Sequence, residues 1–287
     1  MTNIWILARM TLREAIRRRI VLTGVILGVC FLILFTAGFY FITSRISSAS
    51  ALSSSGNSTG LDQIARTEGI NLLLLAGLYA VTFLSIAMGA LLGADTLAGE
   101  ISSGTIQTIV TKPILRSQVV LGKWLGFAVL LALYVLLMAG GTVLSVLVQT
   151  GYSPHHLAAG LALIYLEAAL IMTISLACSS SIPALATGGV VFGLWGLSFI
   201  GGWIEQFGSM LASPTAVTVG IITSLIIPSE SLWRRAAFEM QTPLAGALGM
   251  SPFGTISVPS LAMIVYAVLY LFGALALSIR AFQRRDL

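Results

Sequence analysis

Residues 70–123 read INLLLLAGLYAVTFLSIAMGALLGADTLAGEISSGTIQTIVTKPILRSQVVLGK. Residues 70–94 carry no charge at all. About 20 apolar residues, at 1.5 Å each, cross a hydrocarbon core of about 30 Å, so this run is long enough to span a bilayer. Charge then returns abruptly with Asp95, Glu100, Lys112, Arg116 and Lys123, set among Gly99, Gly104 and Pro113, before a second apolar run begins. A span, a polar segment and another span make up the repeating unit of a helical membrane protein.

The rest of the chain follows the same rule. The 287 residues are 57% hydrophobic and only 9% charged, with a mean hydropathy of +1.00. Soluble domains carry about 25% charged residues, so a water-soluble enzyme is excluded, as is disorder, which needs the opposite composition. The sequence predicts an all-α integral membrane protein, a single transmembrane domain over 1–287 with six spans at 20–42, 70–94, 119–148, 157–177, 184–204 and 258–279. The first run is too long for the apolar region of a signal peptide and reads as a retained span. Residues 43–69 contain SSASALSSSGNSTG and read as a flexible polar loop. Residues 215–227, between Pro214 and Pro228, are apolar but too short to cross, so a re-entrant or interfacial helix is expected in the region 205–257. Cys30 and Cys178 each lie in an apolar run, which points to neither a disulfide framework nor a metal site.

Lys and Arg beside the spans set the orientation. With a cytoplasmic N-terminus, the inner side holds Arg9, Arg13, Arg17, Arg18, Arg19, Lys112, Arg116, Lys123, Arg280, Arg284 and Arg285, and the outer side only Arg45, Arg66, Arg234 and Arg235. Both termini are therefore expected in the cytoplasm, with the protein in the cytoplasmic (inner) membrane. The net charge of +5 reflects these inner arginines rather than nucleic-acid binding.

Four features carry candidate chemistry. At 100° per residue, Arg9, Arg13 and Arg17 form one stripe of residues 1–19, opposite Ile4, Trp5, Ala8, Leu12 and Ile16; such a helix lies in the inner interface with its arginines on anionic lipid headgroups. Around Ile101, Ile106 and Ile109, with Thr105 and Gln107, the polar segment 95–118 offers a small apolar patch to a soluble partner, although an ordinary solvated loop has the same composition. Glu167 sits midway along the fourth span. A charged carboxylate facing lipid at that depth costs at least about 2.5–3.5 kcal/mol, so it must line a pathway or bond to a neighbour such as Tyr79, Tyr134 or Ser198. The glycine pairs Gly24/Gly28, Gly89/Gly93, Gly122/Gly126 and Gly189/Gly193 allow close helix approach. His155 and His156 are adjacent and make a poor metal pair. Trp5, Trp124, Trp203 and Trp233 read as interfacial anchors. Glu230–Arg234 and Arg235–Glu239 have the spacing of ion pairs on a short, solvated surface helix, a docking face for an extracytoplasmic partner being the other reading. No phosphate-binding loop exists: Gly122-Lys123 is followed by Trp124 and has no glycine at the required distance before it. The chain is thus expected not to be an enzyme and to bind no cofactor of its own.

The chain resembles the membrane subunits of ABC-2-type transporters over essentially its whole length, most specifically over residues 93–125. Their pattern of an acidic residue, Gly-Thr, Lys/Ser-Pro, Arg-Ser and Gly-Lys stands here as Glu100, Gly104-Thr105, Lys112-Pro113, Arg116-Ser117 and Gly122-Lys123. The opening LARMTLREAIRRR and the closing RAFQRRDL are similar to the family's ends. The likeness is nearest to the branch of separate permeases that includes the one involved in maturing multicopper nitrous-oxide reductase. It implies a connecting helix at residues 3–19, a coupling helix at Asp95–Ile109 that docks into an ATPase subunit through Asp95, Glu100, Ile101, Gly104 and Thr105, and short outer helices within 205–257. It also implies a second permease subunit, a homodimer, with two copies of a cytoplasmic ATPase that binds the ATP, driving export by alternating access. The alternative is a stand-alone proton-coupled carrier using Glu167; such carriers show internal repeats and several buried ionisable residues, and the sequence shows one such residue and no repeat.

Overall fold

Charge-free runs of this length can satisfy their backbone in hydrocarbon only through the intrahelical ladder. The computed structural model, which describes residues 2–53, 60–102, 115–242 and 258–284, has nine helices among them and no strand. They are α1 (Thr2–Arg17), α2 (Arg19–Ser53), α3 (Gly60–Ser102), α4 (Arg116–Thr150), α5 (Leu157–Ser179), α6 (Ala184–Met210), α7 (Pro214–Ile226), α8 (Ser229–Met240) and α9 (Leu261–Gln283). Six of them, α2 to α6 and α9, are long and apolar enough to cross a membrane, as the sequence predicts.

Helix runs well into the predicted loop 43–69 from both sides. The backbone stays helical to Ser53 and is helical again from Gly60. Once a span has nucleated the helix, each added residue costs little. Polar side chains adapt to it: Thr43 Oγ1 donates to the Phe39 carbonyl and Ser44 Oγ to that of Phe41, both at 2.9 Å.

α5 is the axis of the bundle, with 67% of its apolar stretch buried, against 11% for α2 and 22% for α6. It meets α3 backbone to backbone. A Cβ at Gly89 would lie 2.8 Å from the Ala168 carbonyl oxygen, and one at Gly93 2.7 Å from that of Met172. Ser175 Oγ closes the contact by donating to the Ala90 carbonyl at 2.6 Å. Three of the four glycine pairs read from the sequence thus pack helices within the chain: this one, Gly122/Gly126 below, and Gly24/Gly28, whose Cβ positions would meet the sulfurs of Met88 and Met138. Gly189 and Gly193 face open space.

One end of the bundle gathers α1, the end of α3, the start of α4 and the end of α9. There, Arg116 Nη1 donates to the Gln283 carbonyl at 3.2 Å, and Trp124 Nε1 to Thr173 Oγ1 at 2.9 Å. This is termed the basic end. At the opposite end Asn71 Nδ2 donates to Tyr152 Oη at 2.6 Å and to the Met240 carbonyl at 3.1 Å, and Thr242 Oγ1 donates to Glu68 at 2.6 Å. Burial pushes the Tyr152 hydroxyl above its ordinary pKa, with the Asn71 bond opposing. Gly151 closes α4 at φ 71°, its N–H bonding the Leu147 carbonyl at 2.8 Å, a left-handed cap that a side chain would strain.

From this opposite end the chain turns back into the bundle. After α6, residues 211–213 reverse its direction and Pro214 opens α7, where the missing N–H costs nothing. α7 descends along α6; a Cβ at Gly208 would lie 2.6 Å from the Cβ of Ala216. It ends at Ile227, extended at φ −141°, ψ 114°, because Pro228 cannot continue the ladder. The axis then swings by 106° into α8, which climbs beside α5 until Met240 covers Gly160. The vertex lies against the middle of α5 and α6. Ser198 Oγ donates to the Ile227 carbonyl at 2.9 Å and accepts the Glu230 N–H at 3.2 Å, so two backbone groups freed by the break find partners. Residues 214–240 therefore leave from one end of the bundle and return to it.

α8 is not the solvated surface helix that its charges predict. Glu230, Trp233 and Arg234 are buried, because α5, α6 and α3 enclose it. Arg235 Nη2 does donate to Glu239 Oε1 at 2.6 Å. Arg234 instead reaches α6: Nη2 donates to Glu205 Oε2 at 2.8 Å and Nη1 lies 2.7 Å from Oε1.

Candidate functional site

Glu167 is 1% exposed. Its Oε1 accepts a hydrogen bond from Ser229 Oγ at 2.7 Å. The partner comes from the hairpin vertex, not from Tyr79, Tyr134 or Ser198: Ser198 holds the hairpin backbone, and Tyr134 donates to the Gly24 carbonyl at 3.3 Å. Glu167 also lines a cavity of about 370 Å³ together with Tyr79, Thr82, Phe83, Trp195, Phe199 and Glu230. Glu167 thus borders this cavity and bonds to a neighbouring helix at once.

The walls of the cavity follow from helix periodicity. On α6, Trp195, Phe199, Trp203 and Phe207 recur every four residues and share a face, with successive ring centroids 5.4, 6.3 and 5.6 Å apart. From α3, Phe83 packs on Trp195 at 5.3 Å, and Tyr79 on Trp233 of α8 at 4.9 Å. Trp203 Nε1 donates to Tyr79 Oη at 3.3 Å. Trp203 and Trp233, expected at a membrane boundary, thus belong to the aromatic interior.

Glu205 is the residue that the sequence does not single out: it stands just past the predicted fifth span, and its partner lies 29 positions away. The sequence pairs Glu230 with Arg234 on a surface helix and not with the cavity. The signal available for Glu205 was a carboxylate at the end of an apolar run in a chain with few charges.

At the basic end, Arg9, Arg13 and Arg17 share one exposed stripe of α1. The apolar face is divided. Ala8, Thr11 and Ala15 are buried against α4, where a Cβ at Gly126 would lie 2.8 Å from the Ala8 carbonyl oxygen and one at Gly122 2.6 Å from Leu7 Cβ. Trp5 and Ile16, 72% and 59% exposed, remain beside the arginines. α1 is therefore anchored on protein along one side. Gly126→Ile should lift it, and amide exchange over Leu7–Ala15 should then speed about tenfold for each 1.4 kcal/mol of docking lost; unchanged exchange would rule out the glycine notch as the anchor.

Asp95, Glu100 and Ile101 lie on the last turns of α3, as a continuation of the second span and not on a separate helix as far as Ser102. Gly104 and Thr105 lie outside the described residues, as do Lys112 and Pro113. Among the described residues no group of three or more His, Cys, Asp or Glu is placed to hold a metal ion. His156 Nδ1 lies 3.0 Å from Glu239 Oε2.

The profile of the ABC-2 family transporter proteins matches residues 5–287. The chain belongs to the ABC-2 transporter family. Curated relatives include the probable ABC transporter permease protein NosY of Pseudomonas aeruginosa, 39% identical over 66 residues, and that of Stutzerimonas stutzeri, 38% identical over 65 residues. Each match covers 23% of this chain and 24% of the relative, so the chain spans about a quarter of the length of the curated relatives it matches. These partial matches support the permease branch to which the sequence pattern points. This ABC-2 chain is thus a multi-pass membrane protein of a transporter family whose membrane subunits work with a partner ATPase.

Proposed function

We propose that the chain is the permease subunit of an ATP-driven exporter in the cytoplasmic membrane, moving substrate by alternating access, with hydrolysis on a separate ATPase subunit. The observation that carries this reading is the family match over residues 5–287, joined to the gathering of α1, the end of α3 and the start of α4 at one basic end. That end faces the cytoplasm, as its excess of Lys and Arg argues, and both termini lie there. Asp95, Glu100, Ile101, Gly104 and Thr105 form the ATPase contact. Because Asp95 and Glu100 ride on α3, and α3 is locked to α5 through Gly89 and Gly93, movement of the contact is passed to the helix that carries Glu167. The hairpin of α7 and α8 enters from the outer face and closes that side down to mid-depth. Two permease chains pair as a homodimer and bind two ATPase copies; the lightly covered spans α2 and α6 are the faces free to meet the second copy.

Co-expression with an ABC ATPase from the same genome, followed by pull-down, tests the reading. The parent should retain the ATPase and stimulate its hydrolysis. Gly104→Trp should abolish that stimulation with membrane insertion unchanged. A parent that retains no ATPase, or a Gly104→Trp chain with coupling intact, would remove the assignment.

A further inference from the structure

We propose that the cavity beneath the hairpin vertex is a binding site for a lipophilic organic cation, a protonated or quaternary amine whose charged head rests between Glu167 and Glu230. The inference deepens the permease reading, on which it rests for transport though not for binding.

Charge accounting supplies the first argument. The polar groups that line the cavity are Tyr79 and Thr82 from α3, Glu167 from α5 and Glu230 from α8; bonded around the hairpin beside them are Ser198 and Glu205 from α6, Ser224 from α7, and Ser229 and Arg234 from α8. Among these described residues the single cation is Arg234, whose side chain is 4% exposed and whose two terminal nitrogens lie within 2.8 Å of the two Glu205 oxygens. Arg234 is thus held by Glu205 while its charge also reaches Glu230, which accepts from Tyr79, and Glu167 is the buried carboxyl of the cavity lining with no cation beside it. Carboxyls deep in a bundle mark substrate or ion pathways.

The second argument is independent of charge. Glu167 Oε2 has no hydrogen-bond partner among the described residues, although the residue is 1% exposed and Oε1 is held by Ser229. A buried acceptor without a partner is costly, and this one belongs to a residue that lines an open space of about 370 Å³.

The other walls select the kind of cation. Tyr79, Phe83, Trp195 and Phe199 present ring surfaces, and an ammonium is drawn to the negative face of such rings, most strongly when desolvated. A hard metal ion would need about six oxygen ligands, whereas this lining offers two carboxyls and the hydroxyls of Tyr79 and Thr82, and Tyr79 Oη already accepts from Trp203 at 3.3 Å. An amine with apolar substituents uses both what the rings offer and what the carboxyls lack.

The full chain in lipid nanodiscs, without ATPase, should bind labelled benzyltrimethylammonium saturably. E167Q/E230Q should weaken Kd by at least about tenfold, and W195L should weaken it while W195F preserves it. Neopentylbenzene, the neutral isostere, should not displace the label. If the double variant fails to fold, judged by gel filtration and circular dichroism, single E167Q replaces it. The proposal is overturned if the parent shows no saturable binding, if the glutamine variants bind as the parent does, or if the neutral isostere competes equally. Because binding is read without ATPase, such failure would leave the permease reading standing, and loss of ATPase retention would leave the cation site standing.

Discussion

Arg234→Ala should destabilise the folded protein by about 3–5 kcal/mol, because it leaves the Glu205 carboxylate buried without its counter-ion. Glu205 and Arg234 side chains are only 7% and 4% exposed, so water cannot take the place of the missing guanidinium. The same ion pair joins α6 to α8, and Arg234 Nη2 also reaches Ser224 Oγ of α7 at 3.5 Å, so one guanidinium ties the two limbs of the hairpin to the span beside them. The double variant E205A/R234A removes both charges and should recover much of the loss, since a buried pair replaced as a unit is often close to neutral. Thermal unfolding of the full chain in nanodiscs measures both. Parent-like stability in R234A, or a double variant no better than the single one, would show that the pair does not hold the hairpin.

Gly93→Leu should have an effect of similar size for a steric reason. A Cβ at this position meets the Met172 carbonyl oxygen at 2.7 Å and the Leu176 nitrogen at 2.8 Å. Ordinary overpacking costs roughly 1–3 kcal/mol because side chains can shift; backbone atoms of α5 cannot, so α3 and α5 must separate and little folded material should be recovered. Gly193→Leu is the matched control, since nothing lies within 4 Å of its Cβ position. Monodispersity and unfolding midpoints of the two variants should differ sharply. Equal behaviour would contradict the backbone-to-backbone crossing.

The six spans were legible because excluding charge from hydrocarbon leaves a long, one-dimensional signature. Gly122 and Gly126 were legible as a close-packing pair, but not that α1 would be the helix they receive, because both occupants of the notch are specified by shape. The helix ends were not legible: Thr43 and Ser44 are compatible with a loop, yet they bond back to carbonyls of the preceding turn once a helix is already running. α8 was misread for a different reason. Charges four apart look alike on a solvated helix and on a buried one, and only the return of α7 along α6 brings Glu205 within reach of Arg234. Glu167 was recognisable from its depth alone, whereas its partner Ser229 depends on where Pro228 places the vertex. The proposed ATPase-contact residues were readable only as a pattern, with Gly104 and Thr105 outside the described residues.

The hairpin also concentrates its loose backbone ends on one side chain. The Ile227 carbonyl and the Glu230 N–H, both released where Pro228 interrupts the ladder, rest on the single hydroxyl of Ser198. The depth at which the chain reverses is thus tied to one position on α6, and the register between that span and the returning limb is set by a serine rather than by the apolar surfaces on either side of it.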